Sequence, residues 1–300
     1  MEGTYRSARM SPMRCLVHVV SAVLAVVLTG CGITGRADGQ IAFTSERTGD
    51  WQVFVINAGG TDVRQLTYDD NYHWGPVWSP TASQIAFTGD WSGNREILMM
   101  DSDGHGVIRL ITDNARVDED PSWSPNGDQL VFSGDVGGDF ELLVARSDGT
   151  DVRQLTDNTF NEVHPTWSPD GQQIAFAADL DGDFEIFVMD SDGNNPLQVT
   201  HNSSIDWSPD WSPDGQHLAF AGRQDGNWNI FVVGVDGTGL VQITGDNAND
   251  TDPVWSPDGR WIAFASDRQG RYEIFIAAVD DGGVIATGQP GYPSDWATGD

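Results

Sequence analysis

The sequence contains no lysine, so its 15 basic residues are all arginine, and they are outnumbered by 45 acidic residues. The formal net charge is −30. Without lysine the chain has no amine for Schiff-base chemistry, and it has neither a G-x-S-x-G elbow nor an H-E-x-x-H motif. So acidic a surface also repels nucleic acid, whose binding depends on cationic contacts with phosphates. We therefore expect no nucleic-acid partner and favour a non-catalytic role over these enzyme classes.

Cysteine is almost as scarce, since the chain has only Cys15 and Cys31. The main apolar run, LVHVVSAVLAVVL, has 13 residues, whereas a membrane-spanning helix needs about 20. Three arginines precede this run and small residues follow it, a pattern that predicts an export signal over residues 1–30. Because Cys15 lies inside that signal, the mature chain has no internal disulfide and must be stabilised by packing.

The second cysteine stands at the end of this signal. The segment LTGC, residues 28–31, resembles a bacterial lipobox, which implies that Cys31 is lipidated and begins the mature chain. We then expect residues 31–37 to form a short lipidated linker. The protein would be exported and anchored at the cell membrane or outer membrane, on the periplasmic or extracellular side. An ordinary secretory signal and an uncut signal anchor are the alternatives.

The rest of the chain is organised by a repeat of 44 or 45 residues. The triplet WSP recurs, and an apolar triplet such as IAF or LVF follows each copy and also stands at residue 41, which gives six units. Within a unit the hydrophobic period is two and Asp-Gly turns bound each run, so every unit contains four short strands. Such repeats are typical of propeller blades. We predict an all-β, six-bladed β-propeller over residues 38–300, with four antiparallel strands per blade.

The two ends of the repeat predict how the ring closes. The first unit lacks its first strand, and the matching piece, YPSDWATGD, stands at the carboxyl terminus. We therefore expect residues 292–297 to supply the innermost strand of the first blade, beside Ile41 to Thr44.

The repeat pattern PxWSPDGxxIAFxxxxxGxxEIFVMDxDGxxxxxLT resembles the propeller repeat of the TolB family, a relative of the WD-type repeats. This repeat also occurs in the propellers of prolyl oligopeptidase-like peptidases. The resemblance covers residues 37–300 and implies a non-catalytic module that binds an envelope protein partner. We expect a monomer.

Residues that recur in every unit are first given a structural role. The in-register tryptophans are expected to pack between adjacent blades, and they are Trp78, Trp123, Trp167, Trp211 and Trp255. The recurring glutamates are expected to form hydrogen bonds at strand edges, and they are Glu96, Glu141, Glu185 and Glu273.

The segments that join one blade to the next vary most, and they are acidic with interspersed aromatic and histidine residues. Variable loops on a rigid repeat are where propellers place recognition. Trp207, in the stretch WSPDWSPDG, precedes the in-register Trp211 by four residues, so we interpret it as a loop residue at the channel mouth. The predicted binding residues are Trp74, Trp207, His73, Glu119, His164 and Asp206.

The same rim suggests a second function class, a carbohydrate-binding or carbohydrate-processing propeller acting as a glycan hydrolase or lyase. Tryptophans would stack on sugar rings and a pair of carboxyl groups would act as acid and base. The rim acids that would supply the pair are Asp118, Glu119, Asp120, Glu162, Asp206, Asp250 and Asp252.

Metal binding is the remaining hypothesis. The loop DLDGD, residues 179–183, carries three carboxylates at alternate positions, which would suit Ca2+, but Gly182 comes too early for a complete calcium loop and an ordinary Asp-Gly turn is the preferred interpretation. His73, His164 and His201 lie on loops of one class at non-equivalent positions, so a histidine-bound metal is disfavoured. No other cofactor is predicted.

Overall fold

The computed structural model describes residues 37–105, 109–280 and 282–298, which lie within one compact unit, Gly35–Asp300. The predicted export signal (residues 1–30), Cys31 and most of the linker lie outside these described residues. Within the described ranges there is no helix long and apolar enough to cross a bilayer.

The described residues form 24 strands in six four-stranded antiparallel sheets. The innermost strands are β24 (Tyr292–Ala297), β4 (His73–Trp78), β8 (Asp118–Trp123), β12 (Glu162–Trp167), β16 (Asp206–Trp211) and β20 (Asp250–Trp255). The second strands are β1 (Gln40–Ser45), β5 (Gln84–Trp91), β9 (Gln129–Asp135), β13 (Gln173–Ala178), β17 (His217–Gln224) and β21 (Trp261–Ser266). The third strands are β2 (Gln52–Asn57), β6 (Asn94–Asp101), β10 (Phe140–Arg146), β14 (Glu185–Asp190), β18 (Asn227–Gly234) and β22 (Glu273–Ala278). The outermost strands are β3 (Arg64–Gln65), β7 (Arg109–Leu110), β11 (Arg153–Gln154), β15 (Leu197–Gln198), β19 (Val241–Gln242) and β23 (Val284–Pro290).

The sheets are the six blades of a propeller, as the repeat predicts. Blade 1 has the strand order β24-β1-β2-β3, and blades 2 to 6 each use four consecutive strands of the chain. The predicted closure is confirmed, because β24 pairs antiparallel with β1 and sets Trp296 opposite Ile41 and Tyr292 opposite Thr44. The ring is therefore closed by hydrogen bonds between the two ends of the repeat.

The core is divided among the junctions between blades. In the described residues there are six hydrophobic clusters, and each combines side chains of two adjacent blades. Trp167, for example, is 8% exposed and packs with Val131 of blade 3 and Ile174 of its own blade 4. Removing a side chain of this size from a core costs about 3–5 kcal/mol. The predicted interblade role of the in-register tryptophans is confirmed.

The inner strands are longer than the repeat suggests. The pattern in blade 4 predicts only the three residues PTW as a strand, but β12 begins three residues earlier, at Glu162. The reason is a β-bulge, since the register with β13 shifts between Val163 and Thr166. The bulge hides the strand from a period-two pattern because its extra residue breaks the alternation. The same shift occurs in the inner strands of blades 2, 3, 5 and 6.

Candidate functional site

The inner strands of all six blades enclose a central channel of about 1040 Å³. Its mouth is formed by the loops that join the blades, together with the turns between second and third strands. Backbone hydrogen bonds tie these loops together, for example from His73 N to Trp51 O at 2.9 Å and from Asp206 N to Phe184 O at 2.7 Å. A cavity of this size is at the upper end of the range of ligand pockets.

The bulges place one residue of each of five blades on the channel wall with a positive φ. These residues directly precede a proline, and they are Gly75 (φ 60°), Asp120 (56°), His164 (52°), Ser208 (51°) and Asp252 (53°). Four of the five are not glycine, although this backbone region costs such residues about 1–2 kcal/mol. The strained residues direct polar side chains into the channel, and strained backbone of this kind is common at functional sites.

Hydrogen bonds from the preceding blade hold the first two bulges. The N–H of Gly75 donates to Thr44 Oγ1 at 3.2 Å, and the N–H of Asp120 donates to Thr88 Oγ1 at 3.0 Å. At Asp120 the backbone N–H is thus satisfied without using the residue's own carboxylate, which leaves that carboxylate available to a ligand.

Neighbouring bulge side chains interact around the wall. His164 Nδ1 lies 3.6 Å from Asp120 Oδ2, and the Ser208 hydroxyl donates to Asp252 Oδ1 at 3.4 Å. Burial raises the pKa of Asp252, while hydrogen bonds and the nearby His164 partly offset the rise. This group of four residues can accept and donate protons and hydrogen bonds on one side of the channel.

Two further aspartates line the channel nearer the WSP turns and have a structural task. Asp295 Oδ2 accepts from Trp78 N and Asp210 Oδ2 accepts from Trp255 N, each at 2.7 Å and each from the next blade. Burial raises the pKa of Asp210 to about 7 and that of Asp295 to about 6, in spite of these bonds. They tie adjacent inner strands together.

Aromatic rings of blades 1, 2 and 6 also stand at the mouth. The Tyr292 ring lies 5.6 Å from that of Trp51 and 4.9 Å from that of Tyr272, between centroids. Trp74 lines the channel nearby, and the Arg95 guanidinium lies 5.5 Å from its ring centre. Of the residues that line the channel, five are aspartates and Arg95 is the one arginine.

Three of the predicted binding residues belong to this site. Trp74 and His164 line the channel. Glu119 forms an ion pair with Arg95 Nη1 at 2.6 Å, and burial together with the Asp120 charge raises its pKa. Trp207 supports the site from behind, since its ring lies 4.7 Å from His164 and 4.5 Å from Phe184.

The prediction that Trp74 and Trp207 are loop residues is wrong. Each is the second residue of an inner strand, β4 and β16 respectively, immediately before the bulge. Both side chains are half-buried. The β-bulge explains the error. Only the last residues of each strand alternate regularly in the sequence, whereas the strand itself begins before the bulge.

The prediction that His73 and Asp206 lie on the rim is also wrong, because each is the first residue of an inner strand and is buried. His73 is 0% exposed, bonds Asp69 Oδ1 through Nε2 at 2.8 Å and packs edge-on against Phe87. Three other predicted rim acids share this position and are 0–3% exposed, and they are Asp118, Glu162 and Asp250.

The buried acids belong to a network that joins one blade to the next, in which the recurring glutamate and an asparagine take part. In blade 2, the Glu96 carboxylate accepts from Thr112 Oγ1 at 2.6 Å and from Asn114 N at 3.2 Å. Asn114 Nδ2 in turn donates to Asp118 of blade 3 at 2.5 Å. Glu96 therefore forms the expected hydrogen bonds, but with the segment that follows the outermost strand of its own blade, and Asn114 makes the link to blade 3.

The same network recurs at the next two junctions. Asn158 links Glu141 to Glu162, and Asn202 links Glu185 to Asp206. Burial, together with the charge of the neighbouring glutamate, raises the pKa of Asp118 to about 6, of Glu162 to about 8 and of Asp206 to about 7. At neutral pH Glu162 is therefore mainly protonated, Asp206 is near its midpoint and Asp118 is mainly ionised.

The described part of the chain offers no group of three or more His, Cys, Asp or Glu side chains that could hold a metal ion. In the loop at residues 179–183, the Asp179 carboxylate accepts from Asn161 N and Nδ2, at 2.6 and 2.9 Å. Its oxygens are thus already used by the neighbouring loop. Calcium at this loop stays a prediction.

The sequence patterns missed Ser208, Arg95 and the aromatic group around Tyr292. A signal for Ser208 was present, since the residue three before each in-register tryptophan of blades 2–6 varies while the next one is always proline. Tyr292 also had one, since it precedes Trp296 by four residues, as Trp74 precedes Trp78, but its contact with Trp51 joins residues at opposite ends of the chain.

Comparison with known proteins agrees with this architecture. The sequence profile of the TolB beta propeller domain matches residues 35–162, 121–206, 151–222 and 197–293. A search of curated protein sequences finds no significant match.

Solved structures share the fold at low identity. TolB from Acinetobacter baumannii superposes with a TM-score of 0.74 at 20% identity, over 86% of this chain and 66% of that one, so the present chain spans slightly less than two thirds of its length. The putative TolB from Agrobacterium tumefaciens gives 0.70 at 22% identity, over 87% and 94%. An oligogalacturonate lyase in complex with manganese gives 0.59 at 14% identity, over 83% and 73%. Since the profile matches together run from residue 35 to residue 293, the chain belongs to the TolB beta propeller domain family.

Proposed function

We propose that this protein is a non-catalytic binding scaffold of the cell envelope, anchored by lipid on Cys31, whose channel mouth binds a segment of a protein partner. The fold is that of a TolB-like propeller, and the observation that carries the proposal is the chemistry of the mouth. Aromatic rings line the channel together with the bulge residues Asp120, His164, Ser208 and Asp252.

The charge of the channel defines the partner segment. Five aspartates and one arginine line it, so the segment should carry basic side chains. An arginine on the partner would stack on an aromatic ring and pair with a carboxylate, which are the two contacts that this mouth offers. Such central aromatic anchors commonly dominate binding energy.

The test uses crosslinking in the native host with tagged wild-type protein and the double variant Trp74→Ala/Asp120→Asn. The expected result is a partner that is captured by wild type and lost with the variant. The purified partner should then bind the variant about tenfold or more weakly.

The matched control is Trp91→Ala, which removes a 39% exposed tryptophan that does not line the channel. The Trp91→Ala variant should still capture the partner in the crosslinking experiment. Identical capture by the double variant and the wild type would refute the channel mouth as the binding site.

The lipid anchor is tested separately by Cys31→Ser. The variant should lose incorporation of labelled fatty acid and leave the membrane fraction, while wild type keeps both. Unchanged labelling and fractionation would contradict the anchor and leave the binding proposal standing.

A carbohydrate ligand is the second candidate, favoured by the aromatic rings beside Asp120 and His164 and by the shared fold of the oligogalacturonate lyase. A glycan that binds the folded state raises the melting temperature by mass action. A shift that disappears in Trp74→Ala would support this candidate, and product formation would make the protein an enzyme. No shift across a set of acidic and neutral oligosaccharides would eliminate it.

A further inference from the structure

A second cavity, of about 390 Å³, lies at the junction of blades 4 and 5, and we call it the 4–5 cleft. It is lined by the segment after β15 and by residues of β17 and β18, and it shares no lining residue with the channel. Its volume is within the range of small-molecule pockets. It is therefore a separate site from the one that the proposed function uses.

The cleft has an apolar wall. The Phe220 and Phe231 rings stack at 5.6 Å between centroids, and Val199, Val233 and Leu240 complete the wall. Leu240 is 58% exposed. These side chains would contact a compact apolar group.

The polar end of the cleft is formed by Asp206, which is 3% exposed. Residue 222, opposite it on β17, is glycine, and a Cβ there would lie 3.0 Å from Asp206 Oδ1 and 2.9 Å from Phe231 Cδ2. A side chain at this position would therefore occupy the space where the carboxylate and the ring meet.

Asp206 shares its surroundings with a second acid, Glu185. Asn202 donates to both, from Nδ2 to Asp206 Oδ2 and from N to Glu185 Oε1, each at 2.7 Å. Among the ion pairs of the described residues none involves either acid, although Arg223 lines the cleft. Two buried carboxyl groups without a cation favour the binding of one positive charge, and a proton can supply it in the free protein.

We propose that the 4–5 cleft binds a small primary amine, with its ammonium group at Asp206 and its apolar body against Phe220, Phe231 and Leu240. The ammonium supplies the positive charge that the two carboxyl groups lack. On binding, the shared proton leaves to solvent and both carboxyl groups become ionised, so the charge at the site is balanced. An alcohol of the same shape could donate one hydrogen bond but could not replace the proton, and a carboxylate would be repelled.

Isothermal titration of the purified protein near pH 7 with three matched probes tests the site: 2-phenylethylamine, 2-phenylethanol and 3-phenylpropionate. The amine should bind about tenfold or more tightly than the alcohol, because a charged partner is involved, and the acid should not bind. Titration of the amine in two buffers of different ionisation enthalpy should reveal proton release. Equal binding of amine and alcohol, or no saturable heat with the amine, would overturn the proposal.

Two variants test whether the observed binding of the amine takes place in the cleft. Asp206→Asn should weaken the amine about tenfold or more and abolish proton release. Val233→Phe should block the apolar part, and its circular dichroism would show whether the fold is kept. Glu162→Gln, the equivalent position of blade 4, does not line the cleft and should bind the amine as wild type does. Amine binding that survives both cleft variants would refute the site.

Discussion

At the scale of single residues, the channel depends on side chains placed at backbone positions that suit glycine better. His164, Asp120, Ser208 and Asp252 all hold φ between 51° and 56°. Gly75 shows that blade 2 forms the same bulge without a side chain. The strained residues therefore serve the channel rather than the fold, and replacing one should improve stability.

Ser208→Gly tests this statement. Glycine removes the steric cost at φ 51°, which exceeds the extra entropy that it gives the unfolded chain, so a gain of about 0.5–1 kcal/mol is expected. For a domain of this size that gain corresponds to a rise of about 1–4 °C in melting temperature. Ser208→Ala keeps the strain and is the control, so it should show no rise in a calorimetric melt. The same change in both variants would contradict the argument.

At the scale of the strands and their junctions, buried acidic groups are accommodated in two different ways. The junctions of blades 2–3, 3–4 and 4–5 each bury two carboxyl groups joined by an asparagine. Blades 5 and 6 meet differently, because Asn229 stands where the glutamate would be and Asp250 pairs with Arg268 at 3.0 Å. Three junctions thus bury pairs of carboxyl groups, whereas the junction of blades 5 and 6 has a neutral amide and an ion pair.

This difference predicts a pH dependence of stability. The folded pKa of Glu162 is raised to about 8 from its ordinary value of 4.5, so between these values the folded state binds a proton that the unfolded chain has released. Stability should therefore fall as pH rises from about 5 to about 8, and Asp118 and Asp206 act in the same direction. Melting curves over this range should show it.

The variant Glu162→Gln should show a shallower fall and should be more stable than wild type at the alkaline end, because glutamine needs no proton. Asp250→Asn is the contrasting control. It leaves Arg268 without its buried partner and should lose stability at every pH. A wild-type melting temperature that rises steadily toward pH 8 would contradict the proton-holding junctions.

The closing strand β24 is the second feature that affects stability at this scale. Deleting residues 290–300 removes β24, its whole ladder with β1 and the buried Trp296. The melting temperature should drop sharply, because the hydrogen-bonding edge of β1 and the junctions on either side of blade 1 are opened. Deleting only residues 298–300, which follow β24, should leave the melt close to wild type. An unchanged melt after the longer deletion would show that the ring does not depend on this strand.

At the scale of the whole molecule, net charge is the dominant electrostatic feature. A formal charge of −30 creates repulsion that opposes the compact state. Raising sodium chloride from about 0.01 to about 0.15 M shortens the screening length from about 30 to about 8 Å. The melting temperature should rise over this range, and an equally osmotic amount of sucrose would control for solute effects. A fall in melting temperature with salt would mean that attractive ion pairs outweigh the repulsion.

The fold could be predicted from the sequence to a large extent, because the repeat states the same local information six times. Each of the five in-register WSP copies marks the end of an inner strand and the turn after it, and the incomplete first unit identifies the closing strand. The pattern failed at the bulge, where the extra residue hides the first three residues of strands such as β12. Trp74 and Trp207 were assigned to loops for that reason, and the buried His73 and Asp206 were assigned to the rim.

The sequence by itself therefore determined the number of blades, the interblade tryptophans and the closure, because these depend on hydrophobic periodicity and register within each unit. Only the tertiary structure decided which polar residues face the channel and which are buried between blades. That choice depends on the bulge geometry and on contacts between different blades, such as Asp120 with His164 and Trp51 with Tyr292. The sequence pattern shows neither the bulge geometry nor the contacts between blades, since burial and pKa depend on neighbours that are distant along the chain.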